Sequence, residues 1–169
     1  LTYAGAYNAG IDCRDATTQA TGWILGVAGA AGQGGEGNVY VYNDGFLLEV
    51  SAGVPVNKWT HLAYVRYDGI HQLYVDGILG ATSISSYTYS VDSCQIGASY
   101  SNAEPWTGFI SNVRIVKGSV VYTSNFTPPT NPLPLAPLPS NSPNDGTIWS
   151  NYLSGTIMSG YSASGGFDG

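Results

Sequence analysis

The chain has 169 residues, which fits one domain, and only 9% of them are charged, against about 25% in an average soluble domain. The net charge is −6, and the five basic residues are scattered at positions 14, 58, 66, 114 and 117. This argues against nucleic acid as a partner, because phosphate binding needs clustered lysine and arginine. Membrane insertion is not expected either, since no apolar run approaches the roughly 20 residues of a spanning helix.

The predicted elements are short strands joined by tight turns. Val39–Tyr42, Asn43–Gly45 and Phe46–Val50 form a strand, a turn and a second strand, because Asn, Asp and Gly tolerate the positive φ of hairpin turns. The same scheme returns in HLAYVRYDGIHQLYVDG, His61–Gly77, where Asp68–Gly69 turns the chain. Repeated hairpins of this kind indicate an antiparallel sheet.

Period-two counting assigns the faces of the next strand. Trp59 shares one face with Ala63 and Val65, while Leu62 and Tyr64 fall on the other. On this pattern, Trp59 is expected to be a member of a regular strand face.

Further along the chain, Cys94–Gly97 and Phe109–Val116 are predicted as strands, and no window has a convincing helical period. Gly29–Gly37 is too rich in glycine for a regular element. Many short strands with Gly-rich turns predict an all-β sandwich or barrel. Seven of the nine prolines lie in Pro128–Pro143, which therefore cannot be a central strand and should run as extended polyproline II.

Three segments stand in the order typical of one family: NKWTHLAYVRYDGIHQLYVDG, then CQIGASY, then WTGFISNVRIVKGSVVYTSNFTPPTNPL. From about Gly22 to Leu133 the chain resembles a laminin G-like domain of the concanavalin A-like superfamily. The segment ending VYTSNFTPPTNPL is similar to versions in phage virion proteins and in secreted proteins of aquatic bacteria. The resemblance implies a two-sheet antiparallel β-sandwich of jelly-roll type, a fold that hosts lectins, adhesins, glycanases and spacers.

The start of the chain departs from this family, whose domains open with strands like F-D-G-x-G-D-Y-L and F-T-I-E-x-W. Neither pattern is at the start, yet the last residues, Gly166–Gly169, read GFDG. Either the chain is an excerpt of a repeating protein, or its C-terminal segment supplies the missing strand. We therefore divide it into a sandwich over 1–133 whose first strands are missing, a Pro/Ser-rich linker over 134–146, and an apolar tail over 147–169. The tail is a donated strand or the start of a following module.

Catalysis is not expected from this sequence. A glycanase needs two carboxyl groups about 5–9 Å apart, but the only glutamates are Glu36, Glu49 and Glu104, in no E-x-D-x-x-E pattern. The resemblance implies a strand position for His61, which favours a structural role, and His71 is predicted in a solvated hairpin loop.

A metal or another cofactor is not expected. Calcium is a weak alternative, for which Asp12, Asp15 and Asp92 could supply oxygens, but calcium takes six to eight oxygen ligands and no loop concentrates acids. Two alternatives stay open for Cys13 and Cys94, which form either one disulfide or two buried free thiols.

Glycan binding is the chemistry that the sequence favours. Sugars stack on aromatic rings and take hydrogen bonds from Asn, Asp and Gln, and a polar loop flanked by two aromatic residues connects two predicted strands. This loop is Tyr100–Trp106. Trp106 could instead be a core residue, and the candidate tyrosines could instead be half-buried strand residues. The candidate glycan-binding residues are Trp106, Tyr100, Asn102, Tyr7 and Asn8.

The expected function is a non-enzymatic, lectin-like surface module for adhesion or glycan recognition. It would belong to a virion, as a tail or decoration protein, or to an extracellular bacterial protein, with a cell-surface glycan or polysaccharide and neighbouring copies as partners. One alternative is a structural subunit of a particle or filament that assembles by strand donation, Thr147–Gly169 completing the next copy, without binding sugar. A glycanase is the remaining alternative.

Overall fold

In the computed structural model of the protein, the described residues are 5–15, 21–32, 34–43, 45–51, 53–87, 89, 93–100, 102–133 and 149–151. The chain divides into two units, one of residues 1–109 with 120–128 and the other of residues 110–119 with 129–169. None of the described residues forms a helix that would be long and apolar enough to cross a bilayer.

The first unit contains two antiparallel sheets. Its strands are β1 Tyr7–Asp12, β2 Ile24–Ala28, β3 Val39–Tyr42, β4 Phe46–Val50, β5 Leu62–Tyr67, β6 Ile70–Val75, β7 Ile78–Ile84 and β8 Gln95–Ile96. One sheet has the order β4-β3-β2-β1-β8, and the other has the order β5-β6-β7. With two antiparallel sheets and no helix across the described ranges, the predicted all-β sandwich is confirmed.

One apolar cluster draws residues from both sheets. The larger sheet supplies most of its buried side chains, and β6 supplies Leu73 from the smaller sheet. Leu62 and Tyr64 of β5 pack against this cluster, as does Trp23, which precedes β2. The buried members are Leu25, Val27, Val39, Val41, Leu48, Val54 and Leu73. This cluster is the core of the sandwich.

Two tight turns build the smaller sheet from the sequence HLAYVRYDGIHQLYVDG. Asp68 and Gly69 have φ values of 46° and 73°, and Asp76 and Gly77 have φ values of 48° and 78°. Positive φ at both central residues defines the type I′ turn, whose twist matches that of paired strands. Each Asp-Gly pair therefore closes one hairpin, and the two hairpins share β6.

Two predictions for this region are corrected. His71 was expected in a solvated loop, but β6 begins at Ile70, so His71 shares a strand face with Leu73 and is fully buried. Trp59 lies before β5 rather than on a strand face, and 68% of it is exposed.

The second unit contains one described strand pair. β9 Val113–Ile115 and β10 Trp149–Asn151 are antiparallel, with Ser150 opposite Arg114. β9 is shorter than the predicted strand Phe109–Val116, just as β8 covers only part of Cys94–Gly97. Of the tail over 147–169, only the three residues of β10 are described, and most of the linker and the tail lies outside the described residues.

Candidate functional site

The face of the larger sheet that is turned away from the core carries tyrosines. Alternation along β3 sends Val39 and Val41 into the core and Tyr40 and Tyr42 to the opposite face. There the rings of Tyr7 and Tyr40 meet edge to face, with centroids 5.4 Å apart. We call this surface the tyrosine face.

The loop after β8 is fastened to β1 by backbone hydrogen bonds. The amide of Ala9 donates to the carbonyl of Glu104 at 2.9 Å, and the amide of Gly97 donates to the carbonyl of Gly10 at 3.0 Å. Asn102 and Glu104 have φ values of 55° and 51°, so the loop reverses sharply within a few residues. This path brings Glu104 to the start of β1.

An open depression of about 330 Å³ lies where this loop meets β1. It is lined by Gly5, Ala6, Tyr7, Glu104 and Pro105. Two segments almost a hundred residues apart in sequence therefore form one concave surface beside the tyrosine face. Its walls combine two ring side chains with one carboxylate.

A buried ion pair lies beside the depression. The Asp12 carboxylate accepts hydrogen bonds from Arg14 Nε at 2.9 Å and Nη2 at 2.8 Å, and from the backbone amide of Arg14 at 2.9 Å. Its Oδ2 also accepts from the backbone amide of Tyr100 at 3.0 Å. The side chains of Asp12 and Arg14 are only 1% and 7% exposed. Separating the two side chains would leave a buried charge uncompensated, so the pair stays together. It therefore also holds the backbone at Tyr100, whose amide is bonded to Asp12.

Aromatic rings enclose the guanidinium of Arg14. Its Cζ lies 5.4 Å from the ring centroid of Tyr100 and 5.7 Å from that of Tyr42, within cation–π range. Burial acts to lower the pKa of Arg14, but the hydrogen bonds and charge of Asp12 outweigh burial, so this pKa lies above its ordinary value. Arg14 is thus held as a permanent buried cation.

Glu104 links this ion pair to the depression. Its Oε2 lies 3.8 Å from Arg14 Nη2, and its side chain remains 32% exposed. Burial, followed by the negative charge of Glu104, raises the pKa of Tyr40. Glu104 is therefore both part of the buried charge network and accessible from solvent.

The structure divides the predicted glycan-binding residues. Tyr7 lines the depression, and Tyr100 stacks on Arg14 next to it. Asn102 is an exposed turn residue whose amide donates to the carbonyl of Ser99 at 2.8 Å.

The other two candidates lie on the core side. Trp106 packs against the core cluster, and its indole lies against Gly10, where an added Cβ would sit 3.5 Å from the ring. Asn8 is fully buried, and its Nδ2 donates to the carbonyl of Val27 at 3.3 Å. Neither side chain is presented to a ligand on the tyrosine face.

Sequence reasoning missed the ion pair of Asp12 and Arg14, and it did not assign the wall residues Glu104 and Pro105 as binding residues. Asp12 ends β1 and Arg14 follows two positions later, a spacing that turns both side chains to one side where the chain stays extended. That spacing was the available signal. Which loop would cover the pair could not be read from spacing, because the partner lies about 90 residues away.

A disulfide joins Cys13 to Cys94 across 81 residues of sequence. Cys13 stands between Asp12 and Arg14, and Cys94 directly precedes β8. The bond therefore fastens the base of the loop that carries Glu104 to the end of β1.

The weak expectation of calcium concerned Asp12, Asp15 and Asp92. The carboxylate of Asp12 is occupied by Arg14 and Tyr100, and Asp92 lies outside the described residues. Within the described ranges no group of three or more His, Cys, Asp or Glu residues is arranged to hold a metal ion. Calcium binding stays an untested prediction.

A second polar cluster is built around His71. Its Nδ1 lies 2.7 Å from the Tyr64 hydroxyl, which lies 2.6 Å from the Tyr89 hydroxyl, and its Nε2 lies 3.3 Å from the carbonyl of Ser85. A neutral ring with its proton on Nε2 satisfies all of these contacts. Arg66 stacks over Tyr89 at 4.9 Å, and burial raises the pKa of Tyr64. The cluster therefore runs from the buried His71 through Tyr64 and Tyr89 to the exposed Arg66.

The fold defines the class as an antiparallel β-sandwich domain with an open depression beside one sheet. A laminin G-like family model, described as the concanavalin A-like lectin/glucanases superfamily, matches residues 3–121. The chain belongs to this superfamily, as its sequence motifs indicated. No curated protein and no solved structure matches it.

Proposed function

We propose that the chain is a non-enzymatic, lectin-like module that binds a glycan in the depression between Tyr7 and the loop of Glu104 and Pro105. One observation carries the proposal: two distant segments converge on a concave surface of about 330 Å³ that combines rings with an accessible carboxylate. Binding sites are typically concave and mostly apolar, with a few polar groups that fix orientation.

The chemistry of the walls suits a sugar. The Tyr7 ring and the Pro105 ring offer apolar surface to the C–H face of a pyranose. The Glu104 carboxylate accepts hydrogen bonds from sugar hydroxyls, and charge-assisted bonds are roughly twice as strong as neutral ones. Membership of a superfamily of lectins and glucanases supports carbohydrate as the ligand class.

A glycanase would need a second accessible carboxylate near Glu104. Asp12 lies close, since both carboxylates approach Arg14 Nη2, at 2.8 Å and 3.8 Å. However, Asp12 is 1% exposed and already accepts four hydrogen bonds. It is thus unavailable as a nucleophile or a base, which supports binding without catalysis.

We also propose that the module works outside the cell, in adhesion on a virion or a bacterial surface. A disulfide supports this location, because such bonds persist in oxidising compartments. The low charge content and the 23 glycines suit a secreted or particle-bound β-protein.

The test is a glycan array followed by titration calorimetry on the saccharides that bind. We expect Glu104→Gln to weaken binding about tenfold, the cost of one charge-assisted hydrogen bond. Glu36→Gln is the matched control, because Glu36 is exposed and does not line the depression. Silence across the array, or equal binding by both variants, would reject the proposal.

A structural subunit that assembles by strand addition is the second candidate function. β7 pairs with β6 and has no strand on its other side among the described residues, while Ile78 and Ile84 on it are 58% and 83% exposed. An edge of this kind invites another strand where its backbone groups are unpaired, although the amide of Leu79 already donates to Asn125 Oδ1 at 2.8 Å. In this proposal, Thr147–Gly169 leaves the pairing of β10 with β9 of its own chain and completes a neighbouring copy instead.

A truncation after Asn144 separates the two candidates. For assembly, light scattering should show a long oligomer for the full chain and a poorly stable monomer for the truncated chain, rescued by the missing peptide. A full-length chain that stays monomeric at high concentration would exclude strand donation.

A further inference from the structure

We propose that the depression selects its ligand by charge, accepting neutral and amino sugars and rejecting sugars that carry carboxylate or sulfate groups. This inference rests on the proposed glycan-binding function and names its ligand class. It follows from how the charges around Glu104 are distributed between buried and accessible groups.

Among the described residues, Arg14 is the cation that lies beside the depression, 3.8 Å from Glu104. Arg14 is 7% exposed, donates two side-chain hydrogen bonds to Asp12, and lies between the rings of Tyr42 and Tyr100. A guanidinium enclosed in this way cannot make the bidentate contact that a ligand carboxylate or sulfate would need. Asp12 also cancels its charge at short range.

Glu104 is the accessible charge of the depression. Among the described residues that line it, Glu104 is the one with a charged side chain. Asp12, Arg14 and Glu104 together carry one net negative charge, and the exposed part of it is the Glu104 carboxylate. A ligand in the depression therefore meets an anion and, in the described part of the lining, no accessible cation.

The other cations of the same unit are Lys58 and Arg66. Lys58 Nζ lies 3.1 Å from Asp76 Oδ2, and Arg66 donates to the carbonyl of Tyr87 at 2.6 Å. Neither residue lines the depression. The net charge of −6 adds a long-range field of the same sign as Glu104.

The expected size of the discrimination follows from simple electrostatics. Two unit charges at about 4 Å in a water-like medium interact strongly enough to change affinity about fivefold, and more where the site is partly desolvated. An acidic sugar should lose at least this factor relative to a neutral one, and an amino sugar should gain. Salt should reduce the difference, since the Debye length falls from about 30 Å at 0.01 M to about 3 Å at 1 M.

The experiment titrates the full chain with three oligosaccharides of equal length: oligoglucosamine, its N-acetylated form and oligogalacturonate. We expect oligogalacturonate to bind at least about fivefold more weakly than the neutral oligomer at low salt, and this gap to shrink at high salt. Glu104→Gln should bring the acidic and neutral affinities within about twofold of each other, whereas Glu36→Gln should keep the gap. Thermal melting of both variants confirms that they are folded.

The outcomes separate this inference from the function on which it rests. If saccharides bind but the acidic oligomer binds as tightly as the neutral one, charge selection is overturned and glycan binding stands. A gap that survives in Glu104→Gln also overturns it, because the carboxylate would then not be its cause. If no saccharide binds, here or on the array, both proposals are overturned.

Discussion

At the residue scale, two tryptophans lie in opposite environments. Trp106 packs against the core cluster, whereas Trp59 is 68% exposed. Truncating a fully buried tryptophan costs about 3–5 kcal/mol, but Trp106 is half-buried and should cost about 2–3 kcal/mol. We expect Trp106→Ala to lower the free energy of unfolding by this amount in urea denaturation.

Trp59→Ala is the matched control, and it should change stability by about 0.5 kcal/mol or less because little packing is lost. If the two variants are equally stable, Trp106 is not a core residue. It would then return as a candidate for sugar stacking.

The buried His71 predicts how stability depends on pH. Burial, and then the charge of Arg66, lower its pKa below the ordinary 6.5, while the hydrogen bond to Ser85 opposes the shift. The unfolded chain therefore takes up the proton at a pH where the folded chain does not. The stability due to neutral His71 is complete above 6.5 and is lost progressively as the pH falls below 6.5.

We expect the free energy of unfolding to be lower at about pH 5.5 than at about pH 7.5. His71→Gln should flatten this dependence without abolishing it, because burial also lowers the pKa of His61. A wild-type stability that is the same at both values would contradict the prediction.

The site shows what residue patterns can and cannot predict. The loop Tyr100–Trp106 was recognised in the sequence as a polar segment flanked by aromatic residues. Of the five predicted binding residues, Tyr7 lines the depression. Trp106 and Asn8 could not be assigned, because one loop residue and one strand residue turn inward for reasons of tertiary packing. Arg14 was read as one of five scattered charges, since its burial depends on Tyr100, far away in sequence.

At the element scale, two turns of the same type offer a matched test. Gly69 and Gly77 both have positive φ, 73° and 78°, where any L side chain costs roughly 1–2 kcal/mol. A Cβ on Gly69 would meet its nearest atom at 3.4 Å, but a Cβ on Gly77 would lie 2.0 Å from the carbonyl oxygen of Phe126. We expect Gly77→Ala to be clearly more destabilising than Gly69→Ala.

Chemical denaturation of the two variants measures the difference directly. Equal losses would mean that backbone strain alone decides both turns. They would also mean that the chain near Phe126, whose amide donates to the carbonyl of Gly77 at 2.9 Å, moves aside freely.

The elements themselves were largely predictable where local signals agree. The strands Val39–Tyr42 and Phe46–Val50 were found with the predicted bounds, because alternation and a turn signal coincide there. The prediction was wrong for His71 because a histidine after Asp-Gly looks solvated unless the hairpin is known to close in two residues. Strand pairing also shortened Phe109–Val116 to three residues, which no local pattern could indicate.

At the scale of the whole molecule, the fold and the proposed site share one covalent connection. The Cys13–Cys94 bond joins the end of β1 to the chain just before β8, so it closes a loop that contains most of both sheets. Strand pairing between β1 and β8 is short, with two residue pairs. The bond therefore supports a contact that few hydrogen bonds hold.

Removing this bond should destabilise the protein. Closing a loop of 81 residues restricts the unfolded chain, and in the chain-entropy model such a bond contributes about 4.5 kcal/mol of stability. We expect the free energy of unfolding of the double variant Cys13→Ser, Cys94→Ser to be lower by this amount, so that its urea midpoint falls. Reductant should shift the wild-type chain in the same direction and leave the double variant unchanged. A double variant as stable as the oxidised wild type would show that β1 and β8 hold together without the bond.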